Sequence, residues 1–352
     1  MPQSSQPCSR RSIDRPRNGN PGPNDKLSKS HRPRNGNPGP NEGQTISPRD
    51  RLPRFLLYLR EIANHIMRAL KGIIIAGLAI LALASCGKKD TPIRFCNYNM
   101  RVIMSRDSLE RDFYQRKPFI LKRIADHDFD MIGAQEVDDE MKAALAEDLK
   151  DTYSIVGEGR CADRKGEGTP IFYKTARFEL LDWGSFWLSK TPDVPGSKDW
   201  DASQERIATW TKFKDKVTGK KFFYINTHFD HRGPVSRTEA AKILLEKARE
   251  LHDDLPVFFT GDLNTNSQTE AIAILSDNEL VKDSYTSSET APTGRKSPYY
   301  AFDFDRPDSD RGDYIFVPKD AVVHSYACID DDIKDRQYSS DHCPVLAIVT
   351  IK

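Results

Sequence analysis

Beyond residue 92 the chain alternates between short apolar runs and longer stretches whose apolar positions recur three and four residues apart. Runs of the first kind read as strands and stretches of the second as amphipathic helices. Strands are expected at Ile93–Met100, Met131–Ala134, Tyr153–Val156, Ile171–Lys174, Phe178–Leu188, Ala208–Lys214 and Phe222–Thr227. More follow at Pro256–Thr260, Asp313–Val317, Val322–Cys328 and Val345–Ile351, with helices at Phe113–His127, Met141–Leu149 and Ser236–His252. Strand-rich halves with flanking helices predict a four-layer α/β sandwich, in which two packed mixed β-sheets are covered by helices. Residues 93–352 suffice for one such domain.

The start of the chain has a different character. Pro, Gly, Asn, Arg and Ser dominate residues 1–54, and the unit Arg-Pro-Arg-Asn-Gly-Asn-Pro-Gly-Pro-Asn stands at both 15–24 and 32–41. Two copies fall short of a stacked repeat array. Residues 1–66 are therefore expected to be a disordered extension, or to precede the true translation start at Met67. Residues 67–85 read as a signal peptide: Arg68 and Lys71 precede the apolar run Ile73–Ala84. A helix of that length spans about 18 Å, short of a bilayer core of about 30 Å. Leu83-Ala84-Ser85-Cys86 resembles the bacterial lipobox. The resemblance implies cleavage before Cys86, lipidation of its thiol, and a membrane-anchored protein at the outer membrane or cell surface, outside the cytoplasm. Residues 86–92 would be its tether.

Charge changes the picture of partners. Residues 1–85 hold 14 Lys and Arg against 5 Asp and Glu, whereas the remainder holds 39 against 47. The near-neutral total is a basic leader joined to an acidic body. An acidic body gains nothing from counterion release on a nucleic acid, which disfavours that partner. Of the body's cysteines, Cys96, Cys328 and Cys343 lie in apolar, strand-like contexts and Cys161 in a Gly-rich loop. None has zinc-site spacing; outside the cytoplasm a disulfide is permitted, with three pairings open to four cysteines, and buried free thiols are the expected state.

Candidate chemistry sits at strand ends. Asn97 and Asn99, Gln135-Glu136, Asn226-Thr227-His228, Asp262 and Asn264, Asp313, and Asp341-His342 each adjoin an apolar strand. Each alone is compatible with turn chemistry. Together they place carboxylates, amides and imidazoles along one crevice, the usual location of sites in α/β folds.

The ordered set Asn-Tyr-Asn (97–99), Gln-Glu (135–136), Asn-Thr-His (226–228), Gly-Asp-Leu-Asn (261–264), Gly-Asp-Tyr-Ile-Phe (312–316) and Ser-Asp-His (340–342) resembles the endonuclease/exonuclease/phosphatase superfamily. The resemblance implies a DNase I-like fold and metal-dependent phosphoester hydrolysis. It implies Mg²⁺ or Mn²⁺ on Glu136, with Asn99 beside it and Asp341 as ligand or polariser, since hard cations prefer oxygen donors. It implies that Asp262 orients or deprotonates the attacking water, that Asn264 holds a phosphoryl oxygen, and that His342, paired with Asp313, stabilises developing charge. His228 would contact phosphate or act as general acid. No acidic partner for it is evident, and Asp230 and Glu205 are the candidates. Arg206 is a candidate phosphate contact or a structural ion pair. Arg311 stands before Gly312-Asp313 where the family more often has an apolar residue.

A small phosphorylated molecule, such as a sugar or inositol phosphate, is the expected substrate of a monomeric enzyme. A secreted nuclease or sphingomyelinase-like phosphodiesterase is the alternative within the family. A calcineurin-like metallophosphatase would need Asp-x-His and Gly-Asn-His motifs, which are absent. A non-catalytic surface lipoprotein would use aromatic stretches such as 183–187 and 299–302, but binding alone would not require Glu136, Asp262, Asn264 and His342 together.

Overall fold

The computed structural model describes residues 90–352 apart from Arg106, together with Met67. The expectations for the extension, the signal peptide and Cys86 lie outside the described residues. Among the described residues no helix is long and apolar enough to cross a membrane.

The elements in chain order are β1 (Ile93–Asn99), α1 (Phe113–His127), β2 (Met131–Gln135), α2 (Asp139–Leu149), β3 (Tyr153–Val156), β4 (Ile171–Lys174), β5 (Phe178–Trp187), β6 (Ile207–Asp215) and β7 (Lys221–His228). They continue with α3 (Pro234–Leu251), β8 (Val257–Asp262), α4 (Glu270–Ser276), β9 (Val281–Asp283), β10 (Asp313–Pro318), β11 (Val322–Cys328), α5 (Asp331–Asp335) and β12 (Val345–Thr350). Every element expected from periodicity is present, with ends displaced by no more than two residues. The pattern did not reveal α4, β9 and α5, whose three to seven residues are too short to display a period.

The strands form two six-stranded mixed sheets, ordered β11-β12-β1-β2-β4-β3 and β5-β6-β7-β8-β10-β9. Pairing is parallel between β1 and β2 and between β7 and β8, and antiparallel elsewhere. Between the sheets pack Phe95, Met131, Phe222, Tyr224, Phe258 and Ile315. Phe95 stacks on Phe258 with ring centroids 4.3 Å apart. Ile120 and Ile124 of α1, with Met141 and Leu145 of α2, join the apolar cluster of the first sheet that includes Ile132 and Phe172. Leu244 and Ala248 of α3, with Ile272 and Leu275 of α4, join that of the second with Phe223 and Phe259. Both faces of each sheet are thus covered, which is why nearly every residue of the central strands β1, β2, β7 and β8 is buried, whichever way it points. Cys96, Cys328 and Cys343 are buried free thiols, as expected, whereas Cys161 is half-buried and disulfide-bonded.

A chain of buried polar groups crosses this apolar interior. Gln135 Nε2 donates to Asn97 Oδ1 at 2.8 Å and to Asn226 Oδ1 at 2.7 Å. Thr260 Oγ1 donates to the same Asn226 oxygen at 3.0 Å, and Tyr224 Oη lies 2.7 Å from Thr260 Oγ1. Gly133 makes room for this chain. A Cβ there would stand 2.1 Å from Thr260 Oγ1 and 2.5 Å from Tyr224 Oη. Gly133→Ala should therefore destabilise the fold by about 1–3 kcal/mol, as overpacking of a closed core does. Urea unfolding would measure it, and a midpoint equal to wild type would refute the role given to this glycine.

Candidate active site

The carboxyl ends of β7 and β8 and the amino end of β10 lie side by side, because His228 and Asp313 are both in register with Asp262. On the facing sheet Asn99 is in register with Gln135, so β1 and β2 end together too. Asn99 Nδ2 spans the two sheets, donating to Glu136 Oε1 at 3.2 Å and to Asp262 Oδ2 at 3.0 Å.

Three residues next to these strand ends adopt left-handed backbone: Arg101 (φ 59°), Glu136 (φ 60°) and Asn264 (φ 50°). For residues other than glycine this conformation costs on the order of 1 kcal/mol or more each, and it gathers where function demands a particular side-chain direction. Continuation of β8 would be one way to aim Asn264 at the site, but the structure differs. The strand stops at Asp262, whose Oδ1 accepts from Asn264 N at 2.9 Å, and this tight turn swings Asn264 inward.

Asp262, Asp313 and His342 form the centre. His342 Nδ1 lies 3.0 Å from Asp313 Oδ2, and Asn97 Nδ2 donates to Asp313 Oδ1 at 3.0 Å. His342 Nε2 stands 3.7 Å from Asp262 Oδ2, and His228 Nε2 stands 3.5 Å from the same oxygen. Burial works against charge on His342, but Asp313, with Asp262 and Asp341, outweighs it and lifts the imidazole to about 10. Burial, reinforced by Asp313, raises Asp262 to about 7 despite His342 and Asn99. A base near neutrality beside a cationic imidazole suits a proton acceptor paired with a charge stabiliser.

His228 differs from His342. Asn264 Nδ2 lies 2.9 Å from His228 Nε2, so that nitrogen accepts and the ring proton sits on Nδ1. Burial, then Arg206 and Arg160, pushes its pKa well down, which favours a neutral ring and argues against a general acid. On its Nδ1 side the carboxylate that approaches is neither Asp230 nor Glu205 but Glu167, at 3.8 Å. Asp230 instead receives Arg206 Nε at 3.4 Å and the hydroxyl of Ser203 at 2.8 Å. Asn264 Nδ2 also donates to Phe229 O at 3.0 Å, so both amide hydrogens are engaged. Holding a phosphoryl oxygen would require Asn264 to give up one of these bonds.

Glu136 and Asp341 are buried carboxylates beside Arg101, whose Nη1 is 3.8 Å from Asp341 Oδ2. Burial would raise Glu136, but Arg101 and the Val102 N–H at 3.1 Å outweigh it, leaving an ionised carboxylate. Such oxygen donors fit a hard divalent cation. Asn99 fits as an orienting group rather than a ligand, since its Oδ1 accepts from Arg101 N at 3.0 Å and its Nδ2 faces the carboxylates. Among the described residues, Asp262, Asp313 and His342 also bring ligand atoms within 4.8 Å of one another. That trio is less suited to a metal, because Asp313 is already bonded by Asn97 and His342.

Arg206 is buried, with Nη2 2.9 Å from His231 Nδ1, and it lines a small void with Arg101, Glu136, Glu167, His228 and His231. It is both an ion pair to Asp230 and a wall of the site. Arg311 does not disturb β10. It forms a bidentate pair with Asp283 and lies between the Tyr285 and Tyr314 rings, 4.5 Å from each centroid. The sequence pattern had not singled out Arg101, Glu167 or His231. The signals available were the position of Arg101 directly after Asn-Tyr-Asn-Met and the second imidazole in His-Phe-Asp-His. The 299–302 stretch reaches the site as well, with the Tyr299 ring 4.9 Å from that of His342.

A DNase I-like sandwich with acidic, amide and imidazole groups at the ends of facing strands defines a phosphoric ester hydrolase. The chain belongs to the Endonuclease/Exonuclease/phosphatase family, whose model matches residues 96–342. Members of that family are generally divalent-metal dependent. A family protein from Bacteroides thetaiotaomicron is 34% identical, with a TM-score of 0.69 over 74% of this chain and 98% of its own. The mannosyl-6-phosphatase of Bacteroides thetaiotaomicron VPI-5482 is 33% identical, with a TM-score of 0.69 over 74% of this chain and 100% of its own. The human Nocturnin catalytic domain, at 19% identity and a TM-score of 0.57, shares the fold. Uncharacterized protein R895 of Acanthamoeba polyphaga mimivirus is 29% identical over 112 residues, which span 26% of this chain and 16% of that protein.

The opposed shifts of Asp262 and His342 predict a bell-shaped pH profile. Asp262 must lose its proton, so kcat/KM rises through about 7, and His342 must keep its proton, so the rate falls through about 10. Asp313→Asn removes the main charge holding the His342 proton, and its alkaline limb should move to lower pH. An unmoved limb would detach that limb from the Asp313–His342 pair.

Proposed function

We propose that this protein is a divalent-metal-dependent hydrolase of small phosphorylated carbohydrates, anchored outside the cytoplasm through Cys86. The observation that carries the reading is the centre itself, in which Asp262 receives Asn99 from the facing sheet and stands 3.7 Å from His342, which is held in turn by Asp313. The likeness to a mannosyl-6-phosphatase at 33% identity over that chain's full length supports a sugar phosphate as substrate class. The acidic body speaks against a nucleic acid.

Glu136 and Asp341 would hold Mg²⁺ or Mn²⁺, which supplies Lewis-acid neutralisation of a phosphoryl oxygen. Asp262, oriented by Asn99, takes the proton of the attacking water. The His342 imidazolium, fixed in direction by Asp313, offers Nε2 to charge building on the phosphoryl group. The neutral His228 and Asn264 border the same space and limit how the phosphoryl group can lie. Arg206 adds positive charge behind it.

A panel of sugar, inositol and nucleoside phosphoesters should show turnover that EDTA abolishes and Mg²⁺ or Mn²⁺ restores. Asp262→Asn and His342→Ala should each lower kcat by on the order of 10²-fold or more. Full activity in both variants would sink the mechanism.

The anchor is supported by the apolar run ahead of Leu83-Ala84-Ser85-Cys86. Cys86→Ala should abolish incorporation of labelled palmitate and move the protein from the membrane to the soluble fraction. Unchanged labelling would remove Cys86 as the lipid site.

A further inference from the structure

The void beside Glu136 has an unusual wall. It is lined by Arg101, Glu136, Glu167, Arg206, His228 and His231, with Val102 as its apolar contact, and it has room for a single oxygen-sized group. Three buried nitrogens of these residues have no hydrogen-bond partner: Arg101 Nε, His228 Nδ1 and His231 Nε2.

All three are donors. Arg101 Nε carries a proton by nature. His228 accepts at Nε2 from Asn264, so its proton is on Nδ1. His231 Nδ1 lies 2.9 Å from Arg206 Nη2, which can only donate, so its proton is on Nε2. A buried donor left unbonded keeps its full desolvation penalty, and a single acceptor atom in the void would relieve that cost. An oxygen carrying negative charge accepts several such bonds at once, whereas a water must also place its own two hydrogens. Of the two carboxylates on the wall, Glu136 is assigned to the metal, and Glu167 is paired with Arg160 Nη1 at 2.6 Å.

Glu136 and His228 border both this void and the reaction centre, so a phosphoryl group held between them can direct one oxygen into it. A phosphomonoester has three terminal oxygens and fits with one of them inside. A phosphodiester carries a second alkoxy group and has only two terminal oxygens to distribute. We infer that Arg101, His228, Arg206 and His231 form a closed oxyanion subsite that accepts the third terminal oxygen of a phosphomonoester, making this protein a monoesterase. The inference rests on the phosphoesterase reading above and adds to it the class of ester.

The test uses the full chain with Mg²⁺ and a matched pair of substrates, a hexose 6-phosphate and its methyl phosphodiester. Wild type should favour the monoester. Arg101→Lys, which keeps the charge but loses Nε, and His231→Phe, which keeps the ring but loses the donor, should each lower the monoester-to-diester ratio of kcat/KM by about 10-fold or more. Inhibition by inorganic phosphate should weaken in parallel, and unaltered thermal melting would show that both variants fold. A wild type that prefers the diester, or variants that lose both activities in equal proportion, would overturn the subsite and leave the phosphoesterase reading standing. Turnover of neither ester class, including the wider panel, would overturn both.

Discussion

The Asp313 carboxylate is the point at which the two sheets and the reaction centre are tied together. One oxygen accepts from Asn97 of the first sheet at 3.0 Å, and the other meets His342 at 3.0 Å, while Asp313 itself opens β10 of the second sheet. Behind it run Gln135, Asn226, Thr260 and Tyr224, all buried and bonded in sequence. Buried polar groups are costly unless paired, so this chain has few alternative arrangements. Sliding one sheet over the other would leave several donors and acceptors bare. The same bonds that hold the sheets in place therefore hold Asp313, and through it the direction of His342.

The segment carrying His342 has its own restraint. Arg116 of α1 donates to Met100 O at 2.9 Å, Arg101 O at 2.8 Å and Ser339 O at 2.6 Å. Ser340 Oγ donates to Asn99 O at 2.6 Å. A buried guanidinium whose donors are taken up by backbone carbonyls has little freedom to move. It fastens the turn after β1 to the turn before β12, which are the turns that present Arg101 and Asp341. The left-handed conformations of Arg101, Glu136 and Asn264 persist because such bonds over-determine them.

A fold shared with Nocturnin and other family structures does not select a substrate. Selection falls to what surrounds the centre: the void bordered by arginine and histidine on one side, and the Tyr299 ring against His342 on the other. Arg306 lies over Tyr299 at 5.1 Å, so this second wall combines an aromatic face with a cation. Apart from His228 at the end of β7, these residues come from loops, where side chains can differ between relatives without disturbing the sheets.

Much of the molecule was legible before folding. Strands and long helices follow from periods of two and 3.6, which are local properties of the chain, and Glu136, Asp262, Asp313 and His342 stood out because each adjoins an apolar strand. Partner choice was not legible. Asn97, Gln135 and Asn226 looked like site residues, yet they bond to one another and across the sheets, the cross-sheet partners lying 91 and 216 positions away. Glu167, rather than Asp230 or Glu205, faces His228 Nδ1, and Arg206 divides its contacts between an ion pair and the void. Asn264 reaches the centre through a turn that strand alternation does not describe. The sequence by itself determined which segments become strands and helices and are buried. Which polar side chains meet was decided by the packing of the two sheets, because residues distant in sequence acquire their distances and charges only when those sheets close.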